Sequence, residues 1–276
     1  MDFATAVSDL PLPAVKQAEG IRAKNFRLGS SAVECLSHGM TGAILNAMGI
    51  ILGALFGLTR KNPLSATLQN RFRVLLGLGT FFLGLRLVWS GLNGSAWTVS
   101  KQLLIAFLSV AIGSLLGKVL LLQKMSNRVG KYAGKIMSVQ SEHYKIDGIV
   151  VCAGLFCAAP LGFLGAAVEG LNDEYYLLAI KALMDGLAMT GFIKLFGWTA
   201  AVSAIPVFLA LSTITLACRV YAVPLLQAHG LTQSVEASAG LVVCAVALVI
   251  FQVRRVELTN YLPGLIVAPL MTWLLK

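Results

Sequence analysis

An all-α polytopic membrane protein, a bundle of about seven or eight transmembrane helices, is the fold class this sequence predicts, and three observations predict it. Of 276 residues, 57% are hydrophobic and only 12% are charged, whereas about a quarter are charged in ordinary soluble domains. Several uninterrupted apolar runs approach or exceed the roughly 20 residues that carry a helix across about 30 Å of hydrocarbon. Lys and Arg gather between those runs, as the topology of a multi-span protein requires. Mean hydropathy is +0.81, and the alternating ten-residue segments of a membrane β-barrel are absent.

Residues 1–39 are mixed in polarity, carry Pro11 and Pro13, and show no sustained period. They read as a poorly packed N-terminal extension to a single transmembrane domain over 40–276. Asp2, Asp9 and the prolines interrupt every apolar run ahead of Leu36, so no signal-peptide core is present. Met40, directly ahead of the first span, is the expected biological start.

Span 1 covers about Thr41 to Leu58 and places Gly49, Gly53 and Gly57 four residues apart, a flat stripe for close helix approach. Asn46 lies inside it, and an amide in lipid must face another helix or a cavity. Span 2, about Val74 to Leu92, contains Arg86. Span 3 runs from about Leu103 to Leu122. A basic stretch follows, from Lys118 to Lys145, with apolar residues interleaved. It predicts an amphipathic helix on the anionic cytoplasmic leaflet.

Span 4, about Ile149 to Leu171, carries Pro160, which removes a backbone donor and kinks a helix. The acidic turn Asn172, Asp173, Glu174 leads to span 5, about Tyr176 to Leu195. Span 6, about Trp198 to Val220, contains Pro206 and the hydroxyls Ser212, Thr213 and Thr215. Span 7 runs from about Ala237 to Val253, and a last run, Leu262 to Leu275, is short and interrupted by Pro263 and Pro269. Two echoes, IILGALFG with VAIGSLLG and GIVVCAG with GLVVCAV, suggest duplicated helix units.

The connections after spans 1, 3 and 7 are basic, and those after spans 2 and 4 are nearly free of Lys and Arg. The positive-inside rule therefore puts the basic connections in the cytoplasm and both termini outside. At about 1.5 Å per residue, Arg86 and Asp185 reach similar depth, and Asn46, Glu169 and Lys181 join them in the outer half. An ionisable group in a span costs about 2.5–3.5 kcal/mol on insertion scales, enough to mark a function. Asn46, Arg86, Glu169, Lys181 and Asp185 are accordingly the candidate substrate or ion pathway, with Arg86 to Asp185 as the expected ion pair. Pro160 and Pro206 are the candidate kink or gating positions. The competing reading is that these charges only pair helices, with Lys181 snorkelling to the interface.

The charge of +10 serves topology and gives no nucleic-acid signature. Cys35, Cys152, Cys157, Cys218 and Cys244 read as small hydrophobes or tail residues, and His38, His143 and His229 form no metal spacing. No cofactor, metal or catalytic set is expected. No nucleotide-binding motif is present either.

From Met40 onward, TGAILNAMGIILGALFGL, GLFCAAPLGFLGAAVEGLN, KALMDG and NYLPGLIVAPL resemble the YdfK/YqgA family, a domain of unknown function. The resemblance covers about 40 to 275 and is most specific at Asn46, Asp185 and Asn260 to Pro263. It implies a multi-pass protein of the bacterial inner membrane, for which transport has been suggested without a substrate; it supplies no catalytic residues. CAAP at Cys157 to Pro160 departs from a more glycine-rich family segment. Two functions stay open: a secondary transporter or permease for a small solute or ion, and a non-transporting scaffold or accessory subunit. Expected partners are anionic lipids and, with glycine-rich faces available, a second copy of the chain.

Overall fold

The computed structural model describes residues 40–60, 65–138, 144–253 and 257–275, which belong to one compact unit. The N-terminal extension, Lys61, His143, Arg254 and Arg255 lie outside the described residues. The chain runs through α1 (Thr41–Thr59), α2 (Ala66–Ser90), α3 (Ala96–Val119), α4 (Leu122–Ser138), α5 (Tyr144–Ala158), α6 (Pro160–Asn172) and α7 (Tyr176–Phe196). A 3-10 stretch (Gly197–Ser203), α8 (Ala204–Ala217), a π turn (Cys218–Ala222), α9 (Val223–His229) and α10 (Thr232–Ile250) follow. A second 3-10 turn (Leu258–Tyr261) leads into α11 (Gly264–Leu274).

Glycines set which helices meet. Along α1, positions 42, 49, 53 and 57 abut Leu178, Ala182, Gly186 and Thr190 of α7 in rising order, so the two helices run parallel. Gly77, Gly84 and Gly91 of α2 meet Phe251, Cys244 and Ala237, an antiparallel pairing with α10. Gly113 and Gly117 of α3 meet Gly264 and Asn260, and Lys101 Nζ donates to the Leu275 carbonyl at 3.0 Å, so α11 runs antiparallel to α3. The glycines of the first sequence echo therefore pack on different elements in opposite senses. What they share is a backbone approach that only a missing Cβ allows.

Five helices are long and apolar enough to cross a membrane, and a sixth span results when α5 and α6, bent by 59°, are taken as one. The long apolar stretch Tyr176–His229 is two arms. Gly197, at φ +71°, reverses the chain. Gly162 and Gly165 meet α7 in falling order but Gly162 and Gly170 meet α8 in rising order, so α7 and α8 are antiparallel. With α7 and α8 taken separately and α11 as a short final segment, the described residues hold eight apolar segments, but five or six qualify as spans by length and composition, so the expected count of seven or eight is approximate.

Among the described residues two large apolar clusters form most of the core, beside a small one at Leu226, Leu231 and Val235. One joins α1, α5, α7 and α8 through residues such as Ile50, Phe156, Met189 and Leu211. The other joins α2, α6, α7 and α10 through Leu87, Leu164, Leu177 and Val243. Helix α10 is the most enclosed long helix, with more than half of its apolar window buried.

The two ends of the bundle differ in charge. Arg60, Arg71, Arg73, Lys118 and Lys194 lie at the end bearing the α3–α4 junction and Gly197, joined by Lys124, Arg128, Lys131 and Lys135 of α4. Helix α2 begins eight residues before the expected Val74, which draws Arg71 and Arg73 into its first turns. Trp89, Trp97 and Trp273 are exposed towards the opposite end and Trp198 at the basic end, as in interfacial aromatic belts.

Helix α4 is the expected amphipathic helix: Ala133 is buried against the first cluster while Lys124, Arg128, Lys131 and Lys135 are exposed. Among the described residues nothing lies within 4 Å of a Cβ added at Gly130 or Gly134. Gly130→Ala and Gly134→Ala are each expected to stabilise α4 by about 0.5–1 kcal/mol, since helical Gly is penalised relative to Ala. Thermal unfolding of the purified variants checks this, and a lowered midpoint would contradict the open surroundings.

Candidate functional site

Pro160 decides the geometry of the centre. Lacking an N–H, it leaves the Phe156 carbonyl without its i+4 donor. Ala159 is extended and caps α6, with Pro160 in the favourable first position and Gly162 N–H donating to the Ala159 carbonyl at 2.9 Å. The expected kink is thus a complete break between α5 and α6. Pro206 instead occupies the third residue of α8, following the 3-10 stretch, where its missing donor is one the helix start leaves unpaired anyway.

Against that break lies the Lys181–Asp185 pair. The two residues are one turn apart on α7 and joined by a direct ammonium–carboxylate hydrogen bond; their side chains are 2% and 9% exposed. Lys181 does not snorkel. Its chain is directed towards Asp185 through space that Gly162 leaves open, since a Cβ there would meet Lys181 Cε at 2.6 Å. Its Nζ lies 5.8 Å from the centre of the Phe156 ring, a cation–π distance. Cys157, at the end of α5, is exposed yet within electrostatic reach of both charges.

Asn46 approaches from α1. It is fully buried and turns its side-chain amide to the Asp185 carboxylate as a hydrogen-bond partner, although the two fall short of close hydrogen-bond geometry. Among the described residues the Ser203 and Ser212 hydroxyls are buried without hydrogen-bond partners.

The pathway expected from sequence is thereby corrected in two places. Arg86 does not pair with Asp185. It binds Glu174 at 2.8 Å with its side chain 47% exposed, and its guanidinium lies over Tyr176 at 5.3 Å. It sits four residues from the end of α2, and a long guanidinium stem reaches the outer acidic turn more cheaply than the core. Arg219 binds Asp173 at 2.9 Å, so two arginines staple that turn.

Glu169 is fully buried but employed: it accepts the Gly42 N–H at 2.5 Å and faces the Thr215 hydroxyl at 3.4 Å. It caps the free donors and positive dipole end of α1. Glu169→Gln keeps an acceptor and is expected to cost under about 1 kcal/mol; Glu169→Leu strands the Gly42 donor and is expected to cost about 1–3 kcal/mol. Equal unfolding midpoints for both variants would remove the capping role.

Asn46, Lys181 and Asp185 are therefore brought together, and Glu169 stands one turn of α1 away. The sequence reading missed Phe156, Cys157 and Gly162. Phe156 had a signal, because it stands four residues before Pro160. A second polar clamp also went unseen: Asn260 Oδ1 accepts the Gln123 N–H at 3.1 Å while Gln123 Oε1 accepts the Thr259 N–H at 3.3 Å, holding the α3–α4 junction to the last 3-10 turn.

Comparison with known proteins places this architecture. The chain is 23% identical over 236 residues to the uncharacterized membrane protein YdfK of Bacillus subtilis (strain 168), covering 86% of this chain and 97% of that protein. It is 27% identical over 231 residues to the uncharacterized protein YqgA of Escherichia coli (strain K12), covering 82% and 94% respectively. No solved structure matches. The model of the family described as protein of unknown function (DUF554) matches residues 41–273, the whole helical bundle, and the chain belongs to that family.

Proposed function

We propose that this membrane protein is a secondary transporter for a small solute or ion in the bacterial plasma membrane, with its basic end facing anionic lipid at the cytoplasmic surface. One observation carries the reading: an ion pair and the Asn46 amide that faces it are buried together where a membrane helix breaks. Discontinuous helices place free carbonyl and N–H ends inside hydrocarbon, and that cost is repaid where they line a binding site. The break faces α7, which contributes side chains to both apolar clusters. Arg86, Glu174, Arg219 and Asp173 close the same bundle at its outer end.

Reconstitution into liposomes, with uptake screened over inorganic ions and small organic solutes, tests the proposal. Asp185→Asn retains an acceptor for Lys181 but removes the charge. It is expected to cut initial uptake at least tenfold while insertion and gel-filtration behaviour stay unchanged. Uptake equal to that of the wild type would remove Asp185 from the pathway. A protein that moves nothing but is required by a co-purifying subunit would be a scaffold.

A further inference from the structure

We propose that a recess at the basic end of the bundle, between α2, α7 and the end of α10, binds a small oxyanion, a carboxylate or a phosphate, through Arg73. The recess measures about 310 Å3 and is lined by Gln69 and Arg73 of α2, by residues of α7 from Met184 to Gly191, and by Ile250. Ligand sites run from roughly 300 to 1,000 Å3, so this one suits a small solute. Arg73 is partly buried, and its guanidinium has no ion-pair partner among the described residues, whose ion pairs engage Arg86, Lys181 and Arg219. Gly191 keeps the space open: among the described residues nothing lies within 4 Å of a Cβ added there.

The donor set selects the ligand. A guanidinium offers five N–H donors in a planar fork and no acceptor, and its complement is a pair of anionic oxygens. Among the described residues no Asp or Glu lines the recess to supply them. Thr190 spends its hydroxyl proton on the Leu187 carbonyl at 2.7 Å, which leaves Arg73 as the cationic donor. Leu76, Met184 and Ile250 wall the recess with apolar surface, which strengthens a charge-assisted bond and accepts a short hydrocarbon part of the ligand. Arg71, two residues earlier on α2, is exposed and does not line the recess, so charge at this end of the bundle and charge in the recess can be separated. The recess also reaches the level of the buried pair, because Met184 lines it and the next residue is Asp185. The site stands on its own geometry, and only the role of a soluble oxyanion as cargo rests on the transport reading.

The test is thermal unfolding of the purified full-length protein in neutral detergent, titrated with sodium phosphate, acetate or succinate against sodium chloride at equal ionic strength. A parallel titration adds phosphatidylglycerol against phosphatidylcholine. The expected result is a saturable rise of the unfolding midpoint with at least one oxyanion and none with chloride. Arg73→Gln should weaken that binding about tenfold or more, the loss of a hydrogen bond to a charged group, while Arg71→Gln keeps it. Gly191→Leu fills the recess with Arg73 intact and should abolish the rise. A rise produced by phosphatidylglycerol alone, and lost in Arg73→Gln, keeps the oxyanion site and assigns it to a lipid headgroup. No rise with either kind of probe overturns the proposal. So does a rise that survives in Arg73→Gln or in a folded Gly191→Leu, or one that Arg71→Gln removes equally. Arg73-dependent binding with no uptake in liposomes keeps the site and removes transport, whereas Asp185-dependent uptake with no oxyanion binding keeps transport and removes the site.

Discussion

Asp185→Leu is expected to destabilise the protein by about 3–5 kcal/mol, whereas Lys181→Met with Asp185→Leu restores most of that loss. The single change leaves an ammonium buried with no carboxylate, and Lys181 has no second anion among the described residues to turn to, because Arg86 and Arg219 hold Glu174 and Asp173. The double change removes both desolvated charges and replaces them with apolar groups of similar volume, in a pocket already walled by Phe156 and Leu211. Unfolding of wild type, both single variants and the double variant in mixed micelles closes the cycle. A double variant that loses the sum of the single losses would show that the two residues do not act as a pair. The same cycle separates stability from function: a double variant that folds well and transports nothing is what a site retained for binding predicts.

Gly53→Val is expected to cost about 3 kcal/mol, at the upper end of overpacking penalties, or to prevent accumulation in the membrane. An added Cβ at Gly53 meets the backbone carbonyl of Gly186, and one at Gly49 meets that of Ala182; neither contact is relieved by rotating a side chain. Helix α1 would have to move away from α7, drawing Asn46 off Asp185 and Gly42 off Glu169 at once. Gly191→Ala, on the same α7 but with nothing within 4 Å, is the control and is expected to fold normally. Comparable yields of Gly53→Val and Gly191→Ala would refute the close α1–α7 contact.

Most of the polar centre was legible because lipid punishes charge. Asn46, Lys181 and Asp185 stand out in apolar runs, and the four-residue separation of the last two puts them on one helix face. Depth counting along the chain also put all three at similar levels, and they are brought together. Depth, however, says nothing about rotation around a helix axis. Arg86 shares that approximate depth yet points to Glu174 and Tyr176. Glu169 was legible as a buried charge and illegible as a cap, since the donor it serves lies 127 positions away.

The sequence by itself determined the apolar segments, the basic end, the amphipathic α4 and an interruption at Pro160, which it read as a kink and the fold makes a break. Each follows from local composition: a hydrocarbon slab selects length, an anionic leaflet selects charge, and proline removes a donor wherever it stands. Only the tertiary structure decided that α1 and α7 run side by side in parallel, that Glu174 takes Arg86 from Asp185, and that Asn46 faces Asp185. Those outcomes depend on which glycine faces which backbone across long sequence separations, and close packing, unlike hydropathy, is a property of two surfaces rather than of one segment.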